Sequence, residues 1–255
     1  MNVAAGKTAL VTGAAGGLGG ATLDLLRERG WHAVGLDLRA PDGADAFVAV
    51  DVSDPAAVAG AVDAVVAEHG GLDAVAHCAG IFRNELTPLH LTSDEAWRAT
   101  IDVNLTGTFH VARAVLPHLM TSRGALTLIS SVGAANPQPG GSVYAASKAG
   151  VAALAGAIAL EYGGHGVRCN AVCPGYMATA MAAPVLERPH LREALEREIP
   201  LQRVSDPVEV ARLVAFTLSE DASYLTGQSL TADGGATLTA LTTRRDLDRM
   251  WRPRE

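Results

Sequence analysis

Three residues between positions 131 and 148 carry the chain's clearest chemistry: Ser131, Tyr144 and Lys148. Tyr144 and Lys148 are four apart, so on a helix they share a face, one turn above the other. Ser131 follows the apolar run Ala125-Leu-Thr-Leu-Ile129. A phenol, an ammonium and a hydroxyl brought together suit proton exchange with an alcohol. An alcohol cannot release hydride from carbon unless its O–H proton leaves, so a base must lie within hydrogen-bond reach. A free Tyr ionises near pH 10, and work near neutrality requires a drop of roughly two to three units, or about 3–4 kcal/mol. An ammonium about 4 Å away supplies about 4 kcal/mol at an effective dielectric near 20. The expectation is therefore a Tyr144 acidified by Lys148. Ser130 faces the other way, because neighbours on a strand alternate. Alone, Tyr-x-x-x-Lys is weak, since the same spacing fits a half-buried Tyr beside a solvated Lys.

For these groups to converge, a strand must deliver Ser131 and a helix must begin just before Tyr144, at the carboxyl edge of a parallel sheet. The chain reads that way throughout. Strands are expected at 7–12, 31–36, 46–50, 72–77, 125–131, 167–173 and 229–232. Helices are expected at 18–29, from the Asp54-Pro55 cap to about 68, from the Thr92-Ser-Asp-Glu95 capping box to about 120, at 142–162, and from Asp206-Pro-Val-Glu209 onward. Residues 176–200 are irregular to helical. Asn104 falls in mid-helix. The first strand ends on Gly13-Ala-Ala-Gly-Gly-Leu-Gly-Gly20, which lets backbone approach a phosphate at a helix start. Asp37 closes the second strand, where an acid binds a ribose diol and repels a 2′-phosphate. Unbroken alternation predicts a single doubly wound, Rossmann-type α/β domain over residues 1–235, with a mostly parallel seven-stranded sheet and helices on both faces. Residues 236–255 form a C-terminal extension, with Trp251 as its expected anchor.

Composition sets limits on function. The 255 residues are 49% apolar and 18% charged, with a net charge of −7, which argues against a nucleic-acid surface. Cys78, Cys169 and Cys173 make no Cys-x-x-Cys pair and have no His at ligand spacing, so they read as reduced thiols and no metal is expected. The start shows no charged n-region ahead of an apolar h-region, so no leader is expected. The longest apolar stretch, 149–160, is too short to span a bilayer, and a cytoplasmic protein with no membrane partner is expected.

These residues resemble the short-chain dehydrogenase/reductase family from about Lys7 to Gly235. Thr12-Gly13-Ala-Ala-Gly-Gly17-Leu18-Gly19 is similar to its cofactor turn, and Asp51-Val52 to its adenine-contacting pair. Asn104 resembles the Asn that supports a proton-relay water, and Ser131, Tyr144 and Lys148 have the spacing of the catalytic residues. Pro174-Gly175 followed by Thr179 resembles the segment that holds the nicotinamide carboxamide. One departure stands out: where the family usually reads Asn-Asn-Ala-Gly, this chain has His77-Cys78-Ala79-Gly80. The Ala-Gly part is kept, but the side-chain hydrogen bonds of the Asn pair are not.

The resemblance implies an NAD(H)-dependent oxidoreductase that interconverts a secondary alcohol, cyclic ones included, and a ketone. By the same resemblance Lys148 also touches the nicotinamide ribose, and the assembly is a homotetramer built on the two long helices. Asp37 is followed by Leu38 where an NADP enzyme often has Arg, which favours NAD. The alternatives are an NADPH-dependent 3-ketoacyl-type reductase and a dinucleotide-binding regulator without turnover. Tyr176 is a candidate for lining the substrate pocket, and Met177, Met181 and Leu186 could form a flexible apolar lid or an ordinary surface helix. Arg83, Arg188 and Arg192 could meet a substrate carboxylate, but solvated charge is the better reading of each.

Overall fold

The computed structural model describes residues 6–40, 46–82 and 86–238. Seven strands form one sheet: β1 (Thr8–Thr12), β2 (His32–Asp37), β3 (Phe47–Ala49), β4 (Ala74–His77), β5 (Ala125–Ile129), β6 (Arg168–Pro174) and β7 (Ser229–Ala232). Their order is β3-β2-β1-β4-β5-β6-β7, and every pairing is parallel rather than most of them. β1, β4 and β5 are buried at every residue. Their near-continuous apolar character is what a strand covered on both faces needs.

Helices supply that cover. α1 (Gly17–Glu28) and α8 (Pro207–Leu218) lie on one face, where Leu18, Leu23 and Leu26 meet Val210 and Val214. On the other face are α2 (Pro55–His69), α4 (Gly107–Ser122) and α5 (Ser142–Tyr162), whose Val62, Val115 and Val151 share a second core. The chain leaves β1 to build β2 and β3 on one side, then crosses back to place β4 on the other. The loops after β1 and β4 therefore diverge and leave a crevice at the carboxyl edge, where open α/β sheets bind ligands.

Two local expectations change. Ser93, not Thr92, caps α3 (Asp94–Ile101), accepting from the Ala96 amide at 3.1 Å. The Thr92 hydroxyl instead turns back to the Pro88 carbonyl at 3.4 Å. The long helix that follows is not uniform either. It widens into a π turn over Asp102–Thr106, which carries Asn104, and resumes as α4. α5 matches the expected bounds. With the turn after it, α5 is long and apolar enough, by length and composition, to cross a membrane, so the 149–160 stretch understates it. Here it packs on β5 and β6 and buries Lys148, Val151, Ala155 and Ile158. Between β6 and α8, residues 176–200 hold the short α6 (Ala183–Leu186) and α7 (Pro189–Glu198). Trp251 and Arg83 lie outside the described residues.

Candidate active site

A cavity of about 720 Å³ opens at the carboxyl edge of the sheet. Every residue named from the sequence for catalysis or cofactor binding lines it, except Asn104. β1 and the turn into α1 bring Gly13, Gly17, Leu18 and Gly19. Asp37 comes from the end of β2, and Asp51 and Val52 from beyond β3. The loop after β4 adds Ala79 and Gly80, and the loop after β6 adds Pro174, Gly175 and Thr179. Ser131, Tyr144 and Lys148 complete the wall.

The two Ser residues after β5 do take different tasks. The Ser131 hydroxyl faces the cavity and accepts from the Gly133 amide at 3.1 Å. The Ser130 hydroxyl is buried and donates to the Lys148 carbonyl at 2.7 Å, pinning α5 to the strand. The Lys148 ammonium donates to the Ile129 carbonyl at 2.8 Å and stands 5.8 Å from the centre of the Tyr144 ring. Phe82 meets that ring edge-on, with centroids 5.0 Å apart. A Cβ on Gly80 would come within 3.1 Å of the ammonium.

The electrostatics correct one expectation. Tyr144 ionises above its ordinary value, not below it, because burial penalises the phenolate. A hydrogen bond with Ser131 works against that penalty, and nearby Tyr176 adds to it. Burial also brings Lys148 down to about 8, from 10.5. Desolvation disfavours the charged form of both groups, and at this separation the ammonium does not overcome it. Cys78, next to them in the cavity wall, is pushed up to about 12, again chiefly by burial, so it is a neutral thiol.

The cofactor side has the features a dinucleotide requires. α1 follows Gly16 at its N-cap, with no capping side chain and no acid in its first turn, whereas Asp54, Ser93 and Asp206 cap α2, α3 and α8. Its first N–H groups and the positive end of its dipole are left for an anion. Gly13 sits at φ +67°, and a Cβ there would lie 2.7 Å from the Ala79 amide nitrogen. Gly17 packs so tightly on Thr179 that a Cβ would meet its methyl at 2.7 Å. Asp37 accepts from the Ala15 amide at 3.0 Å and the Leu38 amide at 2.7 Å. Both of its oxygens are oriented by backbone while retaining free lone pairs. Asp51 binds the Ser53 amide and hydroxyl through one oxygen, leaving the other clear. These residues fit a nicotinamide dinucleotide.

Asn104 stands behind the wall. It accepts from the Ile81 amide at 2.8 Å and donates to the Ile81 carbonyl at 3.0 Å and the Ser147 hydroxyl at 3.1 Å. Ser147 in turn donates to the Tyr144 carbonyl at 2.7 Å. Asn104 thus ties the loop after β4 to the helix that carries Tyr144. Sequence reasoning missed Ser147; the signal was a hydroxyl three residues after Tyr144, within reach of its carbonyl. It also assigned no role to His77. Its Nδ1 lies 2.7 Å from the Thr12 hydroxyl, which accepts from the Ala79 amide at 3.2 Å.

On the substrate side, Tyr176, Met177, Met181 and Arg188 line the cavity, while Leu186 and Arg192 do not. The Tyr176 hydroxyl donates to Gln138 at 2.8 Å, joining the loops after β6 and β5.

The family model described as enoyl-(acyl carrier protein) reductase matches residues 13–237. Among curated proteins, 3beta-hydroxysteroid dehydrogenase 1 of Eggerthella lenta is 38% identical over 91% of this chain and 94% of its own length. The 3-oxoacyl-[acyl-carrier-protein] reductase FabG of Thermotoga maritima is 36% identical over 90% and 97%. Among solved structures, the ligand-free aldohexose dehydrogenase of Thermoplasma acidophilum superposes with a TM-score of 0.88 at 32% identity, covering 93% and 96%.

Proposed function

The chain belongs to the short-chain dehydrogenase/reductase family, and on that premise we propose that it is an NAD(H)-dependent oxidoreductase interconverting a secondary alcohol, cyclic ones included, and a ketone. The observation that carries this reading is the meeting of Ser131, Tyr144 and Lys148 in the same cavity as the uncapped start of α1 and Asp37. The relatives act on secondary alcohols or ketones, as their names state.

In the oxidative direction Ser131 holds the substrate oxygen and Tyr144 takes the hydroxyl proton. A nicotinamide dinucleotide held by the turn into α1, Asp37 and Thr179 would supply the acceptor for the hydride of the carbinol carbon, and its positive charge would favour the phenolate that burial alone disfavours. Burial lowers Lys148 to about 8, so it releases a proton more readily than a free amine does. Asn104 fixes Ile81 and, through Ser147, the backbone at Tyr144. In reduction the same groups work in reverse.

NAD is preferred to NADP in this reading because Asp37 is the charge at the ribose end. Leu38 beside it offers no cation, so a 2′-phosphate would face a carboxylate. The preference is at least tenfold, on the order of 1.4 kcal/mol. Residues 1–235 form the catalytic unit in a cytoplasmic homotetramer, with 236–255 as an extension. The 36% identity to a 3-oxoacyl reductase favours one second reading, an NADPH-dependent ketoacyl-type reductase.

A panel of cyclic and aliphatic secondary alcohols with NAD⁺ or NADP⁺, and a 3-ketoacyl thioester with NADH or NADPH, tests these readings by the absorbance of reduced cofactor. Tyr144→Phe should lose turnover by a factor of about 10² to 10⁴ while keeping NADH affinity, measured by fluorescence. Undiminished turnover in that variant would remove the mechanism. Equal efficiency with NADP⁺ would remove the role given to Asp37. Tight NADH binding with no turnover on any compound would leave a non-catalytic dinucleotide-binding regulator.

A further inference from the structure

The substrate half of the cavity is mostly apolar, walled by Phe82, Val132, Met181, Val185 and Leu191. Four charged side chains line the cavity among the described residues: Asp37, Asp51, Lys148 and Arg188. The two acids belong to the dinucleotide end, and the Lys148 ammonium is buried beneath Tyr144. Arg188 is the remaining charge, and it faces the substrate half.

Its setting separates it from the other arginines nearby. Arg192, one turn further on, pairs with Glu196 at 3.0 Å, and Arg203 pairs with Glu209 at 2.6 Å. Arg188 has no carboxylate within 4.0 Å among the described residues. It joins α6 to α7, and its backbone is fixed there. Its amide donates to Val185 at 3.3 Å, and its carbonyl accepts from Leu191 and Arg192 at 3.0 Å each. Gln138 and Tyr176, the polar pair nearby, already bond each other. Arg188 is exposed, and its guanidinium is the charge on this side of the cavity that has no carboxylate partner among the described residues.

A planar guanidinium matches a carboxylate with two parallel N–H···O bonds. Arg188 is exposed, so water and salt screen the pair in part, while the apolar lining beside it lowers the dielectric on the cavity side. We infer that the substrate alcohol carries a carboxylate, held by Arg188 while the carbinol carbon lies at Ser131 and Tyr144. This rests on the oxidoreductase reading above for the identity of the reacting end, but the anion site can be tested without turnover.

Cyclohexanecarboxylate and cyclohexanecarboxamide, titrated by calorimetry into the full chain with NAD⁺ present, report the site directly. The acid should bind at least tenfold more tightly than the amide, with an advantage that falls as salt rises. In Arg188→Gln the ratio should collapse to near one, and Arg188→Lys should restore part of it. Equal binding of acid and amide, no binding of the acid in the millimolar range, or an advantage that survives in Arg188→Gln would each overturn the inference. In parallel, the 3- and 4-hydroxycyclohexanecarboxylates and their carboxamides are assayed with NAD⁺. Absence of turnover on both series, with acid binding intact, would count against the oxidoreductase reading and not against the anion site.

Discussion

His77 ends β4 with a titratable ring that solvent does not reach, at 1% exposure. Burial first, and the nearby Lys148 charge second, lower it to about 3 from 6.5. Its Nε2 has no hydrogen-bond partner among the described residues, so the neutral ring already carries a cost and the charged ring a larger one. The folded value lies below the unfolded one, so the unfolded chain binds more protons between about pH 6.5 and 3. His77 therefore leaves stability intact above about pH 6.5 and removes it as pH falls, at up to about 1.4 kcal/mol per unit. Denaturant unfolding of wild type and His77→Asn at several pH values across that window should show a shallower decline in the variant. Parallel declines would mean that the ring titrates normally and that its burial does not govern acid stability.

At the scale of elements, the contrast between helix ends is informative. The start of α1 is left bare toward the cavity, whereas α8 is secured at both ends. Asp206 and Glu209 form a capping box at its start. At its other end the β6 residue Arg168 donates to the Thr217 carbonyl at 2.7 Å and the Ser219 carbonyl at 2.9 Å. A cation on the last carbonyls also complements the helix dipole. Hydrogen bonds from a charged donor contribute about 1.5–3 kcal/mol each when lost. Arg168→Met should therefore destabilise the protein by at least about 2 kcal/mol, lowering Tm by several degrees. A change within error would show that water replaces the guanidinium at no cost.

For the whole molecule, the helices covering one face of the sheet leave large apolar groups in solvent. Trp97 on α3 is 44% exposed, Phe109 on α4 46%, and Leu160 on α5 88%. Ala149, Ala153 and Ala157, also exposed on α5, would let another helix approach closely. Covering such groups is favourable by about 25 cal/mol per Å², which supports assembly through these helices. Light scattering should give a mass four times that of the 26.2 kDa chain, and Phe109→Asp should reduce it. A wild-type mass equal to one chain would sink the assembly. An unchanged mass in the variant would move the interface elsewhere.

Features set by neighbours along the chain could be read without a structure. The alternation of strands and helices, the Asp54-Pro55 and Asp206-Pro-Val-Glu209 starts, and the shared face of Tyr144 and Lys148 all follow from spacing over a few residues. The convergence of the glycine turn, Asp37 and Tyr144 followed too, because strands of a parallel sheet all present their carboxyl ends at one edge. What the sequence could not give depends on distances between segments remote in the chain. Burial decided the sign of the Tyr144 shift, because the bonds of Lys148 to Ile129 and its separation from the ring are tertiary facts. The partners of Asn104 were fixed by where the loop after β4 passes the π turn. Three arginines looked alike as letters. Docking of α6 and α7 beside the cavity set Arg188 facing it, while Arg192 turned to Glu196. Local pattern chooses the elements, but the dielectric and the partners around a charged group exist only after they have packed.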